Sequence, residues 1–264
     1  MSKYRLTEQL GEGASASVWL AQSESGQSVA IKRFHVSAIN PQTKKHWERE
    51  QLQLKVLSHP RIPKVLDFYT DKVEGRTLPH LVMEYVKGVS LDKEMSARRY
   101  SLKDTSELLG ELLEIFLYLH SFQPRIIHRD LKPSNLIRGA DKQIYLIDFG
   151  LAVDDVHKTM GHSLNVGTLG YQAPEQVHGD PTHRSDLYSI GVLAFELLTQ
   201  EKASKLIVGL RLDWERKADK LPADWRYWLK RMLAENPAAR FEDAAEALAE
   251  LPHEEEVVVQ KRRA

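Results

Sequence analysis

Residues 126–135 read IIHRDLKPSN, and residues 144–150 read IYLIDFG. The first stretch packs three bases and one acid between two apolar runs. The second is a short run of β-forming residues that ends in an acid, an aromatic and a glycine. Together they set Asp130, Asn135 and Asp148 at the ends of apolar segments. A hydrophobic core excludes unpaired groups of this kind because burying them is costly. A site that holds a hard divalent cation and moves a proton needs them.

Upstream of these stretches the texture is mainly β. YRLTEQLG, SVWLAQS and SVAIKRFHV are short runs with β-branched or aromatic residues, separated by Gly-Ser-rich turns such as SESGQS. In TKKHWEREQLQLKVLSH (43–59), Trp47, Glu50, Leu54 and Leu57 fall at helical spacing, and His59-Pro60 ends the run. KVLDFYTD and LPHLVMEYV return to strand character. LKDTSELLGELLEIFLYLHSF then reads as a strong helix with an acid and hydroxyls near its start. From residue 181 onward the pattern is helical, through RSDLYSIGVLAFELLTQ, ADWRYWLKRMLAE and FEDAAEALAELP. The chain thus divides into a β-rich first third and a helix-rich remainder, with the junction near residues 84–89 and no internal repeat.

Composition narrows the function. The 37 basic and 37 acidic side chains cancel, so no global field holds nucleic acid or an acidic membrane. With no cysteine, disulfides, thiol catalysis and thiolate zinc sites are excluded. The N-terminus lacks the apolar core of a signal peptide. The longest apolar stretch, 108–120, is broken by Glu111 and Glu114 and is too short to span a bilayer. These features predict a soluble, cytoplasmic protein with no membrane segment.

LGEGASASVWL (10–20) carries Gly11 and Gly13, with Ala16 at the third small position. Glycines let backbone N–H groups approach a phosphate closely, although a bare hairpin is the simpler reading of this segment alone. It joins two strand-like runs, which disfavours a dinucleotide fingerprint, since that needs a helix next. In VAIK (29–32), Lys32 ends an apolar run, and a partly buried ammonium needs a partner. Glu50 on the following helix is the natural candidate.

Taken in order, GEGASASV, VAIK, Glu50, HRDLKPSN, DFG and APE (173–175), extended by SDLYSIGV (185–192) and Arg240, resemble the eukaryotic-type (Hanks-type) Ser/Thr protein kinases, and bacterial members in particular. The resemblance runs from about residue 4 to residue 251. It implies an α+β, bilobal protein-kinase fold. Residues 1–83 would form a small β-rich N-lobe with one helix, 84–89 a hinge, 90–252 a larger, mainly helical C-lobe and 253–264 a charged tail. It also implies ATP and Mg²⁺ as cofactors, with Mn²⁺ as a substitute. Asn135 and Asp148 would ligate the metal, and Asp130 would accept or orient the proton of the incoming hydroxyl. Lys32, oriented by Glu50, would hold the α- and β-phosphates, and Lys132 the γ-phosphate. The backbone of Gly11, Glu12, Gly13, Ala14, Ser15 and Ala16 would cover the phosphates. Leu10, Val18, Ala30 and Ile137 would enclose adenine, with Met83 at the back and backbone groups of Glu84 and Val86 at its edge. Each of these is also an ordinary core residue.

Lys132-Pro133 and Thr168 resemble the Ser/Thr rather than the tyrosine kinases, so the expected partners are proteins with Ser or Thr acceptors. Arg129 beside Asp130 suggests control by phosphorylation at Thr159 or Ser163. Phe149 and Gly150 complete the metal-binding motif, Glu175 and Arg240 are expected to form a buried ion pair, and Asp186 to anchor the backbone near His128 and Arg129. His157, His162, His178 and His183 match no metal spacing and read as surface residues. Trp214, Trp225 and Trp228 read as core. A pseudokinase scaffold and a small-molecule phosphotransferase are the competing functions. The first is disfavoured by the full set of site residues, the second by the DFG-to-APE segment. Regulation would come from a partner or from a C-terminal part outside this chain.

Overall fold

The computed structural model describes residues 3–13, 16–35, 54–73, 75–148, 170–208 and 211–253. The chain divides into two compact units, residues 1–94 with 128–165, and residues 95–127 with 166–264. One is rich in sheet and the other mainly helical, as the bilobal α+β expectation requires. The segment 128–148, which carries the opening motifs, belongs to the sheet-rich unit.

In that unit five antiparallel strands, β1 (Tyr4–Glu12), β2 (Ala16–Ser23), β3 (Ser28–Phe34), β4 (Val65–Val73) and β5 (Arg76–Glu84), form a sheet of order β1-β2-β3-β5-β4. The period of two sorts their side chains. Tyr4, Ala21, Val29, Ile31 and Val82 bury one face, joined by Tyr69. Ala16, Phe34, Leu81 and Met83 bury the other, with Ala30, Leu54, Val65 and Phe68 packed against them. Each large apolar side chain so buried contributes about 1.5–3 kcal/mol. Of the predicted helix over 43–59, the described part is helical at 54–56.

A second sheet of the same unit has the order β6-β7-β8, with β6 at Gly88–Ser90, β7 at Leu136–Gly139 and β8 at Ile144–Leu146. Its close pairing depends on Gly88. A Cβ there would lie 2.2 Å from the carbonyl oxygen of Arg138, so no larger residue fits without moving the backbone.

Helix α1 (Leu91–Ala97) contains the point where the two units divide. The helical unit is built on α2 (Leu102–His120), α3 (Pro174–Val177), α4 (His183–Thr199), α5 (Glu215–Ala218), α6 (Ala223–Met232) and α7 (Ala244–Ala249). Ser101 caps α2. Its hydroxyl accepts from the Asp104 N–H at 3.0 Å, and the Asp104 carboxylate accepts from the Ser101 N–H at 3.1 Å. Helix α4 is buried continuously from Ser185 to Leu197, the pattern of a central core helix. A Cβ on Gly191 would meet the Cβ of Met232 at 2.6 Å, so α4 and α6 approach closely there. Trp214, Trp225 and Trp228 are all buried, and the Trp228 indole N–H donates to the Ala247 carbonyl at 2.9 Å. Trp214 stands before α5 rather than on the helix of the other two. The helical pattern expected after residue 181 is interrupted by a small ribbon, β9 (Ile207–Val208) with β10 (Arg211–Leu212). Among the described residues no helix is long and apolar enough to cross a membrane.

Candidate active site

The turn at 128–130 is set by alternate burial. His128 and Leu131 are buried, Arg129 is exposed and Asp130 lies between these extremes. The Asp130 N–H donates to the His128 carbonyl at 2.9 Å, and Arg129 between them sits at φ 68°. A non-glycine residue in this left-handed region costs about 1–3 kcal/mol and persists only where the surroundings enforce it. The anchor is His128, whose Nε2–H donates to the Asp148 carbonyl oxygen. Strain is therefore stored where the Asp130 carboxylate is turned out of the chain.

Pro133 then opens a 3₁₀ turn, Pro133–Asn135, for which its fixed φ is suited. Asn135 ends the turn in a buried position, and its amide nitrogen donates to the Asp130 carbonyl at 2.8 Å and to Asp130 Oδ2 at 3.1 Å. Lys132 Nζ reaches the same Oδ2 at 2.7 Å. The Ile147 N–H donates to the Asn135 carbonyl at 3.0 Å, which ties the segment before β7 to the one after β8. Residues 128–135 and 144–148 thus form one hydrogen-bonded cluster.

Lys32 enters from β3. Its ammonium pairs with Asp148 Oδ1 at 2.6 Å, across 116 residues of sequence. Glu50, its expected partner, lies outside the described residues. The strand register places Val18 opposite Lys32 and Ala30 opposite Met83. These four residues therefore share one face of the first sheet. Met83 is buried in the core of that face, and Leu10 on β1 is 37% exposed. Glu84 ends β5, Val86 follows it, and Ile137 pairs with Ser90 and Tyr145 in the second sheet. The glycine-rich turn is closed by a hydrogen bond from the Gly13 N–H to the Ala16 carbonyl at 2.9 Å. Ala14, Ser15, Phe149, Gly150, Thr159, Ser163 and Thr168 lie outside the described residues.

A family model for the protein kinase domain matches residues 4–250. The chain belongs to the protein kinase family. It is 32% identical over 267 residues to serine/threonine-protein kinase C of Synechocystis, covering 92% of this chain and 48% of that protein. It is 32% identical over 266 residues to serine/threonine-protein kinase PknB of Mycobacterium tuberculosis, covering 94% and 42%. A second Synechocystis protein, serine/threonine-protein kinase B, is 29% identical over 286 residues, covering 98% and 48%. The chain thus spans less than half the length of each of these relatives.

In the helical unit of this kinase domain a different charge cluster serves the fold. Arg240 is 2% exposed and donates to Glu175 through two parallel bonds of 2.6 and 2.9 Å. Its remaining N–H groups reach the carbonyls of Ala234, Arg184 and Glu235, so the guanidinium is fully satisfied. Ser185 Oγ donates to Glu175 at 2.6 Å. Burial acts to raise the Glu175 carboxyl, but the hydrogen bonds from Arg240 and Ser185 prevail and hold its pKa below the ordinary value. Asp186 takes part in a second buried pair. His120 Nε2–H, at the end of α2, donates to its carboxylate at 3.0 Å. His183, expected on the surface, is half-buried. It stands edge-on to His120 and donates to the Glu242 carbonyl at 2.9 Å. Burial, with Arg125, His120 and Arg184 nearby, depresses its pKa. His178 is exposed, as expected. Sequence reasoning missed His120, because nothing in the local pattern joins it to a residue 66 positions away.

Proposed function

We propose that this chain is an ATP-dependent Ser/Thr protein kinase domain that transfers the γ-phosphoryl group to protein hydroxyls, its own included. The observation that carries the reading is the joining of Asp130, Lys132 and Asn135 to the Lys32–Asp148 pair within one unit of the fold. That its relatives in Synechocystis and Mycobacterium tuberculosis are serine/threonine-protein kinases supports the acceptor class.

The donor set suits Mg²⁺, which takes few protein oxygens and completes its shell with phosphates and water. Asn135 spends its amide nitrogen on Asp130, which leaves the amide oxygen as its ligand, and Asp148 offers the carboxylate oxygen that Lys32 does not hold. ATP bound with Mg²⁺ supplies the phosphoryl group and neutralises its charge. Lys32 would hold phosphate oxygens with the ammonium that pairs with Asp148. Asp130 Oδ2, held by Lys132 and Asn135, would take or orient the proton of the acceptor hydroxyl as its oxygen attacks phosphorus and ADP leaves. Lys132, which pairs with that oxygen, would also reach the transferred γ-phosphoryl group. Phosphorylation at Thr159 or Ser163, answered by Arg129, would be the means of control.

Labelled phosphate from MgATP offered to the purified chain and to a generic basic protein tests the reading. Label on Ser or Thr that disappears in Asp148→Ala is the expected result. ATP binding without transfer to any protein acceptor, combined with transfer to a small alcohol or sugar, would overturn it.

A further inference from the structure

The glycine-rich turn must be held, because glycine stems restrain a loop poorly. Gly11 and Gly13 are both exposed, and a Cβ on Gly11 would have open space around it. Side chains meet beside this turn. His35, the residue after β3, places its Nε2 3.1 Å from Glu12 Oε1. Glu12 is the last residue of β1, and the Gln9 amide donates to its other oxygen, which fixes the carboxylate in place. The register sets Glu12 opposite Ser17 of β2, and Ser17 opposite Arg33 of β3. The contact therefore reaches across β2 and joins the two strands that flank it, at the end where β1 leads into β2. Lys32 stands three residues before His35 on the strand so joined.

We infer that His35 is a positioning residue for the nucleotide. Through Glu12 it clasps the glycine-rich turn to β3 and so fixes the turn relative to Lys32. The inference rests on the kinase reading for the identity of the ligand. Its energetic signature follows from exposure. The two side chains are 34% and 57% exposed, and a pair so open to water adds little to global stability. Its loss is expected to appear in the affinity of the site, not in the melting temperature.

The test is calorimetric titration of a non-hydrolysable ATP analogue with Mg²⁺ into the full chain, with Tm measured on the same samples. The variants are His35→Ala, His35→Arg, Glu12→Ala and the double alanine variant. The clasp predicts a Kd about threefold higher in His35→Ala, with near wild-type affinity in His35→Arg, which keeps the donor. The double variant should bind no more weakly than either single one, the mark of two residues acting as a unit. Equal Kd in wild type and His35→Ala would overturn the clasp and leave the kinase reading intact. A weaker Kd that His35→Arg does not restore, or that follows a fall in Tm, would also overturn it, because the effect would then be structural. Failure of the wild-type chain to bind the analogue would overturn both the clasp and the kinase reading.

Discussion

The cluster at 128–148 and the Glu175–Arg240 brace use the same chemical groups to opposite ends. In the brace, every guanidinium N–H has a fixed acceptor, and Arg240 is shut away from water. At the site, the pairs are single contacts between partly exposed groups, 11% and 29% for Lys32 with Asp148, and 27% and 19% for Lys132 with Asp130. A fully satisfied buried pair resists exchange, because removing one partner strands the other. A half-open single contact can be traded for a ligand oxygen at little cost. The backbone follows the same division. In the 128–148 cluster Arg129, beside the group that faces the chemistry, and Lys142 both hold a positive φ, whereas Arg240 of the brace sits at φ −75°. The lesson is that reactive and structural charges in this chain are told apart by satisfaction and exposure, not by residue type.

That distinction can be broken by substitution, and the largest effect should come from the site. Asp130→Asn keeps the shape but removes the proton acceptor, so phosphotransfer should fall by about 10²–10⁴-fold with the unfolding midpoint nearly unchanged. A comparable loss of stability would mean that Asp130 is structural. Next in size, Arg240→Met should cost about 3–5 kcal/mol in denaturant unfolding, because Glu175 is left buried and unpaired. A change under about 1 kcal/mol, the range of surface pairs, would contradict the brace.

The pH dependence sharpens the same contrast. The Glu175 carboxyl sits below its ordinary value of 4.5 in the fold. Its contribution is therefore complete above that unfolded-state value and disappears as pH falls through the lower folded one. Acid unfolding followed by circular dichroism should show this limb in the wild type and a flatter one in Glu175→Gln. Smaller still, Gly191→Ala should destabilise by about 1–3 kcal/mol through overpacking against Met232. Ser101→Ala should cost about 1 kcal/mol through loss of the α2 cap, read from thermal melts with activity per folded molecule unaltered.

The readable part of the fold was the part with runs of several β-forming residues between turns or a long apolar helical stretch. Runs of β-branched and aromatic residues between turns marked β1 to β5, and a long apolar run with an acid and hydroxyls near its start marked α2. The ribbon at 207–212 escaped because two-residue strands carry no period to detect. The site residues were legible as motifs, but their pairings were not. Lys32 called for an acid. Glu50, the one expected, lies outside the described residues, and Asp148, which the local pattern did not name as a partner, stands beside Lys32 through tertiary folding. His183 shows the same limit, since nothing in its neighbours announces that His120 lies against it. The pairing of Glu175 with Arg240 rested on family resemblance, because no local pattern links residues 65 apart.

The most direct test of the account is phosphotransfer per folded molecule, measured with MgATP and a protein acceptor for wild type, Asp130→Asn and Arg240→Met at a temperature where all three are folded. The account predicts that Asp130→Asn is folded and nearly inactive, while Arg240→Met is less stable yet retains most of its activity per folded molecule. Activity that survives in Asp130→Asn, or that vanishes in folded Arg240→Met, would contradict it.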